Sequence, residues 1–365
     1  MPQGETYWNP YRLIPARETV ERSAPVTDER FCGHTGMMEC TLENLTPLFI
    51  GAQALGSVHP PMVRENRYRV IPGSSLKGML RSLTEIVGGG CFVVKDPGSP
   101  VPNHMNACNK VDRLCISCRM FGAMERGAGA RVHKGKVSVG DAVVQEERPR
   151  LKSFQVLLAN NGVRHEPFYR SPHTGRRDGN SRKLYFHQPK HTESIRPVAE
   201  NLRHRAPDVS AVMPGHHFDF NVQFTSLTDQ ELSLLLYVLH LEENVSVTVG
   251  PEKLSLKGPM RHKIGNAKPL GFGSCHIRLN RMTFLAEPAQ RFSTMSSTHD
   301  RLLEGEDLRQ ETTRRLQRFV TDESPTMQAL RKVMVWDEKD PREFHYPDFH
   351  WFRNPQNEQT PLKVL

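Results

Sequence analysis

At 365 residues the chain can bury a substantial core, and a mean hydropathy of −0.54 with no apolar run near the ~18 residues of a membrane span leaves no helical membrane anchor to expect. The formal charge of +9 and a pI near 9.3 point toward a polyanionic partner. That excess has one location: Arg148 to Arg205 holds 13 Lys or Arg against 4 Asp or Glu, while the rest of the chain balances at 36 against 36.

The opening stretch, MPQGETYWNPYRLIPARE, lacks a charged start followed by an apolar core, so no signal peptide is read and a cytoplasmic location is expected. Residues 1–35 form an N-terminal arm. A strand is predicted at MMECTLENL, broken by Thr46-Pro47 before LFIG. The loop from Gly51 to Arg67 leads to a short strand, YRVIPG, after which Leu76, Met79, Leu80, Leu83 and Val87 recur at helical spacing and three glycines end the helix. A helix that starts at Pro72-Gly73-Ser74-Ser75 leaves several backbone N–H groups unpaired at the positive end of its dipole. An anion such as phosphate can dock there, helped by Ser74, Ser75, Lys77 and Arg81. The alternative is that Ser74 merely caps the helix and Lys77 is solvated. The spacing G-x-x-x-x-G-K-[ST] of a nucleotide-hydrolysing phosphate loop is absent.

Residues 88–126 are rich in Gly, Pro and Cys and read as an irregular insertion. Seven cysteines in a reducing compartment argue against a disulfide framework. Four of them cluster here as Cys91, Cys108 and Cys115-x-x-Cys118, a pattern that can close a tetrahedral zinc site, with His104 an alternative to one of the earlier cysteines. A redox pair or unlinked thiols are the competing readings. Four thiolates leave no open position, so a structural zinc is expected rather than a catalytic one. Cys40 and Cys275 fall on predicted strands as small core residues.

KGKVSVGDAVVQ reads as the next strand. The basic insertion, residues 146–212, follows; it interleaves its charges with Phe154, Phe168, Tyr169, Tyr185 and Phe186, which suits a single-stranded nucleic acid that needs both charge and stacking faces. A solvated basic loop is the plainer reading. HFDFNVQFTSL alternates as a half-buried strand and runs into TDQELSLLLYVLHLEE, a helix opened by the capping box Thr228-x-x-Glu231. A glycine-rich loop, HKIGNAKPLGFGSC, precedes the last strand, HIRLNRMTFLA. Stripped of insertions, the order is βαββαβ, an α+β, ferredoxin-like (RRM-like) core. Residues 286–365 form a helical C-terminal extension, expected at STHDRLLEGEDLRQETTRRLQRFV and SPTMQALRKVMVW. Its aromatic tail, with Phe349, Trp351 and Phe352, must pack on the core or on a neighbouring subunit.

The stretches IPGSSLKGMLRS, CISCRMFGAMERGAGARVHKGKVSVGDA, RKLYFHQ and KIGNAKPLGFGSCHIRL, spread in order over residues 36–285, resemble the RAMP superfamily, whose members form the RNA-binding backbone of type III CRISPR effector complexes. The resemblance implies a crRNA-binding subunit of an antiviral ribonucleoprotein, with crRNA, target RNA and other effector subunits as partners. It places Ser74, Ser75, Lys77 and Arg81 against guide phosphates, with Arg182 and Lys183 of RKLYFHQ and Lys268, Gly271 and Gly273 of the glycine-rich loop beside the same RNA. It also likens the Cys-x-x-Cys ahead of FG to the family's zinc knuckle. Active family members cut target RNA with an Asp in the loop after the first strand; the matching loop here, GAQALGSVHPPMVRENRYR, has none. Its polar candidates are His59, Arg64 and Glu65. A structural, guide-binding subunit is therefore expected, and a ribonuclease using His59 or Glu65 is the alternative.

Overall fold

Along HFDFNVQFTSL the side chains obey a period of two: Phe218, Phe220, Val222 and Phe224 are buried, while Asp219, Asn221, Gln223 and Thr225 are exposed. This strand runs through the middle of the largest sheet in the computed structural model, which describes all residues except 1–7, 28, 30, 52–61, 66, 67, 94–100, 158–164, 171–178, 191–199, 201–205, 292 and 294–298, and only the backbone of 64, 65 and 349.

The central elements are β1 (His34–Asn44), α1 (Gly73–Val87), β2 (Val137–Val139 and Ala142–Val144, split at Gly140-Asp141), β3 (His217–Leu227), α2 (Asp229–His240) and β4 (Ser274–Phe284). They pair in the order β4-β1-β3-β2, every pair antiparallel. Tyr68–Ile71 extends the sheet beyond β2, and His262–Lys263 extends it beyond β4. The fold is thus a mixed α+β arrangement on an antiparallel sheet. Both helices contribute to the core on the sheet's apolar side, where Leu76, Leu80, Leu83, Leu232 and Leu235 join Met38, Cys40, Leu42, Phe218 and Phe220. A register shift in β4 between Leu279 and Arg281 lets Met282 face Met38 and stay buried. The opposite face carries Glu39, Thr41, Glu43, Asp219, Asn221 and Gln223, tied together by contacts such as Thr41 Oγ1 donating to Asp219 (2.6 Å). On β1 and β3 this face offers hydrogen bonds and mixed charge, and its one ring among the described residues is His217, set against Glu43 (3.8 Å).

The N-terminal arm and the basic insertion are not separate bodies. Tyr11–Pro15 pairs antiparallel with Ser181–Tyr185, and Leu151–Gln155 pairs with Asp208–Val212. Residues 88–126 are less irregular than expected, since Ile116–Phe121 is helical. In the C-terminal extension the first helix is shorter than its pattern suggested: Arg301–Glu304 adds a strand to β4, and Gly305, with φ of +54°, turns the chain into helix Gly305–Val320. Helix Pro325–Met334 follows, and its buried Arg331 grips Glu242 through Nε at 3.0 Å to each oxygen while donating to Phe319 O and Val320 O. The aromatic tail packs on the basic insertion: the Trp351 ring lies 5.6 Å from Phe168 and 5.2 Å from His165. No helix among the described residues is long and apolar enough to cross a membrane.

The capping box of α2 does more than close a helix end. Thr228 Oγ1 accepts from the Glu231 N–H (3.2 Å) and the Thr228 N–H donates back to the Glu231 carboxylate (3.1 Å), as the sequence predicts. The same fully buried carboxylate also accepts from Lys136 Nζ (2.5 Å) and Arg119 Nε (2.9 Å), joining α2 to β2 and to the cysteine-rich segment. Replacing Glu231 with Ala leaves a buried lysine without its counter-ion, so the unfolding free energy from urea titration should fall by about 3–5 kcal/mol. A loss below about 1 kcal/mol, as for an exposed pair, would contradict this.

Candidate nucleic-acid interface

Ser74 does not cap helix α1, the alternative considered for it. Ser74 is exposed, Pro72 occupies the N-cap position, and Gly73 N–H donates to Asp141 Oδ1 at 2.6 Å from the gap between the two halves of β2. One of the N–H groups expected for a phosphate is therefore already held by a carboxylate. A side chain at Gly73 would collide with Val139 O, so this close docking of α1 on β2 requires glycine.

Along α1, the positions Ser75, Gly78, Met79 and Ser82 face a cleft of about 500 Å³. Its second wall is the strand Ser181–Tyr185 with Lys183, Leu184 and Tyr185, and its third is the glycine-rich loop with Lys263, Gly265, Asn266 and Lys268. Arg261 and His187 complete the lining, and no acidic residue lines the cleft among the described residues. Arg261 is neutralised by Glu243 (2.9 and 3.1 Å). The three lysines have no carboxylate partner among the described residues. Lys183 Nζ sits 3.8 Å from the centroid of the Tyr11 ring with Tyr169 and Tyr185 around it, and Lys263 Nζ donates to Ser274 Oγ (3.3 Å). Burial, reinforced by Lys268, pushes Lys263 down to about 7, and burial also lowers Lys268. His187 is held neutral by burial, with one ring nitrogen against Ser274 Oγ (2.8 Å) and the other donating to Arg261 O (2.9 Å).

The residues singled out from sequence divide into groups. Ser75, Lys183 and Lys268 meet at the cleft, with Ser74 and Lys77 on the adjoining first turns of α1. Gly271 and Gly273 shape the loop instead of lining the cleft: both have positive φ, and a Cβ on Gly273 would strike Ile264 O. Arg81 and Arg182 turn away to an internal cluster with Glu85. His59 lies outside the described residues, and Glu65 is described only through its backbone, in Arg64–Glu65 paired with Tyr68 and Arg69. Sequence reasoning assigned nothing to Lys263 and Arg261, although Lys263 belongs to the same basic, glycine-rich loop as Lys268, and it missed Asp141.

The four cysteines do come together. Each pair of sulfurs of Cys91, Cys108, Cys115 and Cys118 lies within 4.8 Å, with Cys91 and Cys118 at 3.6 Å. A tetrahedron of thiolates about 2.3 Å from one ion has edges of about 3.8 Å, so the set can hold a metal ion as a closed four-coordinate site. Its surroundings suit thiolates: Cys91 N–H donates to Cys115 Sγ (3.4 Å), Cys115 N–H to Cys108 Sγ (3.3 Å), and Arg81 to Cys118 Sγ (3.6 Å). Hydrogen bonding from Cys115 holds the Cys108 thiol well below its usual value. His104 does not take a cysteine's place, because its Nε2 donates to Glu18 O (3.0 Å) on the surface. Cys40 and Cys275 are buried in the sheet.

No curated protein matches the chain closely enough to set beside it. The family model of the RAMP superfamily matches residues 41–276, more than half of the sequence, from β1 through the cysteine cluster and the glycine-rich loop to the start of β4, and the chain belongs to that superfamily.

Proposed function

We propose that the chain is a crRNA-binding backbone subunit of a type III CRISPR effector, with a ferredoxin-like core, a structural zinc and no target-cleaving centre of its own. Membership of the RAMP superfamily implies a CRISPR-associated role in RNA binding or processing, within complexes of several subunits. The observation that carries the finer reading is the cleft: three lysines without a carboxylate partner among the described residues, backed by the hydroxyls of Ser75 and Ser82 and by Gly78, where an added side chain would meet open space. Such a lining recognises a phosphate backbone irrespective of base sequence, with Tyr185 supplying a ring beside it. The polar open face of the sheet favours the cleft over the sheet surface as the path of the RNA. The βαββαβ order of the central elements and their β4-β1-β3-β2 pairing support the ferredoxin-like reading.

Lys263 makes this binding proton-linked. A phosphate beside it raises its value from about 7, so affinity is full below that pH and weakens as pH rises through it toward the bound-state value. His187 and His262, lowered by burial, stay neutral over this range, and Cys275, raised to about 12, stays protonated. Anisotropy titrations of a single-stranded RNA at fixed ionic strength, from about pH 6 to about pH 8.5, should show this decline. Lys263→Met should remove it and lower the log–log salt slope by about 0.7. Wild-type binding that ignores pH, or a loss confined to some RNA sequences, would contradict the proposal.

Zinc in the four-thiolate site would clip a segment with little core of its own. Replacing Cys115 and Cys118 with Ser should abolish one bound zinc per chain and accelerate amide exchange across residues 88–126, while β1 and β3 stay protected. A wild-type protein that is metal-free and fully protected in that segment would rule the zinc out.

A further inference from the structure

The cysteine cluster and the cleft share two walls. Helix α1 turns Ser75, Met79 and Ser82 to the cleft and Arg81 and Glu85 to the cysteines, and the strand Ser181–Tyr185 presents Lys183 to the cleft and Arg182 to the cysteine-rich segment. Between them lies a single buried carboxylate serving two guanidinium groups. Glu85 accepts from Arg81 Nε (3.2 Å) and from Arg182 (2.9 Å). Arg81 continues to Gly122 O (3.3 Å) and Cys118 Sγ (3.6 Å). Arg182, its side chain only 12% exposed, donates to Cys91 O (2.8 Å) and lies 4.0 Å over the Phe92 ring.

We propose that Glu85, Arg81 and Arg182 are positioning residues that couple metal occupancy of the cysteine cluster to the RNA affinity of the cleft. The proposal rests on the RNA-binding reading above. With a divalent ion bound, the four cysteines hold Gly122 O, Cys118 Sγ and Cys91 O where Arg81 and Arg182 donate to them. Without the ion the cysteine-rich segment loses its clip, and the backbone carbonyls of Gly122 and Cys91 on which Arg81 and Arg182 are anchored are no longer held in place beside Glu85. The arginines then lose their anchor, and α1 and the strand Ser181–Tyr185, which carry Ser75 and Lys183 into the cleft, lose the tie that fixes their spacing. Because the coupling is thermodynamic, RNA in the cleft must in turn hold the metal more tightly, by the same factor.

The test compares the full-length wild type with Arg182→Met, each with zinc and after chelation, using one single-stranded RNA. Cobalt substitution and its thiolate absorption check that the variant keeps its four-cysteine site. Wild type should lose RNA affinity by about 5-fold or more on losing zinc, and RNA should slow zinc release to a chromogenic chelator. Arg182→Met with zinc should bind RNA about as weakly as stripped wild type and lose nothing further on stripping, and Arg182→Lys should restore part of the response. RNA binding by wild type that does not respond to zinc would overturn the coupling and leave the RNA-binding reading standing. If no RNA binds, that reading fails, and amide exchange at residues 181–185 decides the coupling. Exchange there should rise on zinc removal in wild type but not in Arg182→Met; an equal response in both would overturn it.

Discussion

Helix α1 is constrained on three sides at once: its apolar side is in the core, a second side forms the floor of a cation-lined cleft, and a third carries the carboxylate and guanidinium that face the cysteine cluster. The bond from Gly73 N–H to Asp141 fixes where the helix begins, and the absence of a side chain at Gly73 lets it sit directly on β2. Everything functional is registered to that placement. The cleft exists because α1, the strand Ser181–Tyr185 and the glycine-rich loop converge there, and each of those elements is tied to the core by a different long-range contact.

Charge is handled in two ways in this protein. Inside, the buried carboxylates are met by cations: Glu231 by Arg119 and Lys136 and Glu85 by Arg81 and Arg182, Glu242 by Arg331 from far along the chain, and Asp340 by its near neighbour Arg342. These clusters specify which segments meet, because removing one member strands another in a poorly solvated place. At the cleft the pattern reverses, with lysines gathered and no described carboxylate to satisfy them. Such an arrangement lowers the stability of the free protein and is repaired by an anionic ligand. The contrast between satisfied interior charge and unsatisfied cleft charge is what makes the cleft stand out from the rest of a basic chain.

The features legible in the sequence were local ones. Alternation in HFDFNVQFTSL, helical spacing from Leu76 to Val87, the Thr228–Glu231 capping box and the Cys-x-x-Cys pair each express their physics within a few residues, and each has the form anticipated. What stayed hidden depended on partners far along the chain. Asp141 holds the first N–H of a helix that starts 68 residues before it, so that group looked free for a phosphate. Arg81 and Arg182 looked like phosphate ligands because a basic side chain beside a basic motif gives no hint that Glu85 and the cysteine cluster lie behind it. Lys263 was passed over for the opposite reason: burial, invisible in the sequence, is what makes it the most perturbed cation in the cleft.

The central claim is that RNA lies in the cleft between α1, the strand Ser181–Tyr185 and the glycine-rich loop. The most direct measurement is ultraviolet crosslinking of the complex purified with its natural partners, followed by mapping of the crosslinked peptides and sequencing of the attached RNA. The claim predicts crosslinks at residues 73–83, 181–188 and 262–273, carried by RNAs that share a repeat-derived tag. Crosslinks concentrated on Glu39, Thr41, Asp219 or Asn221 of the open sheet face, with the cleft peptides unmodified, would contradict it.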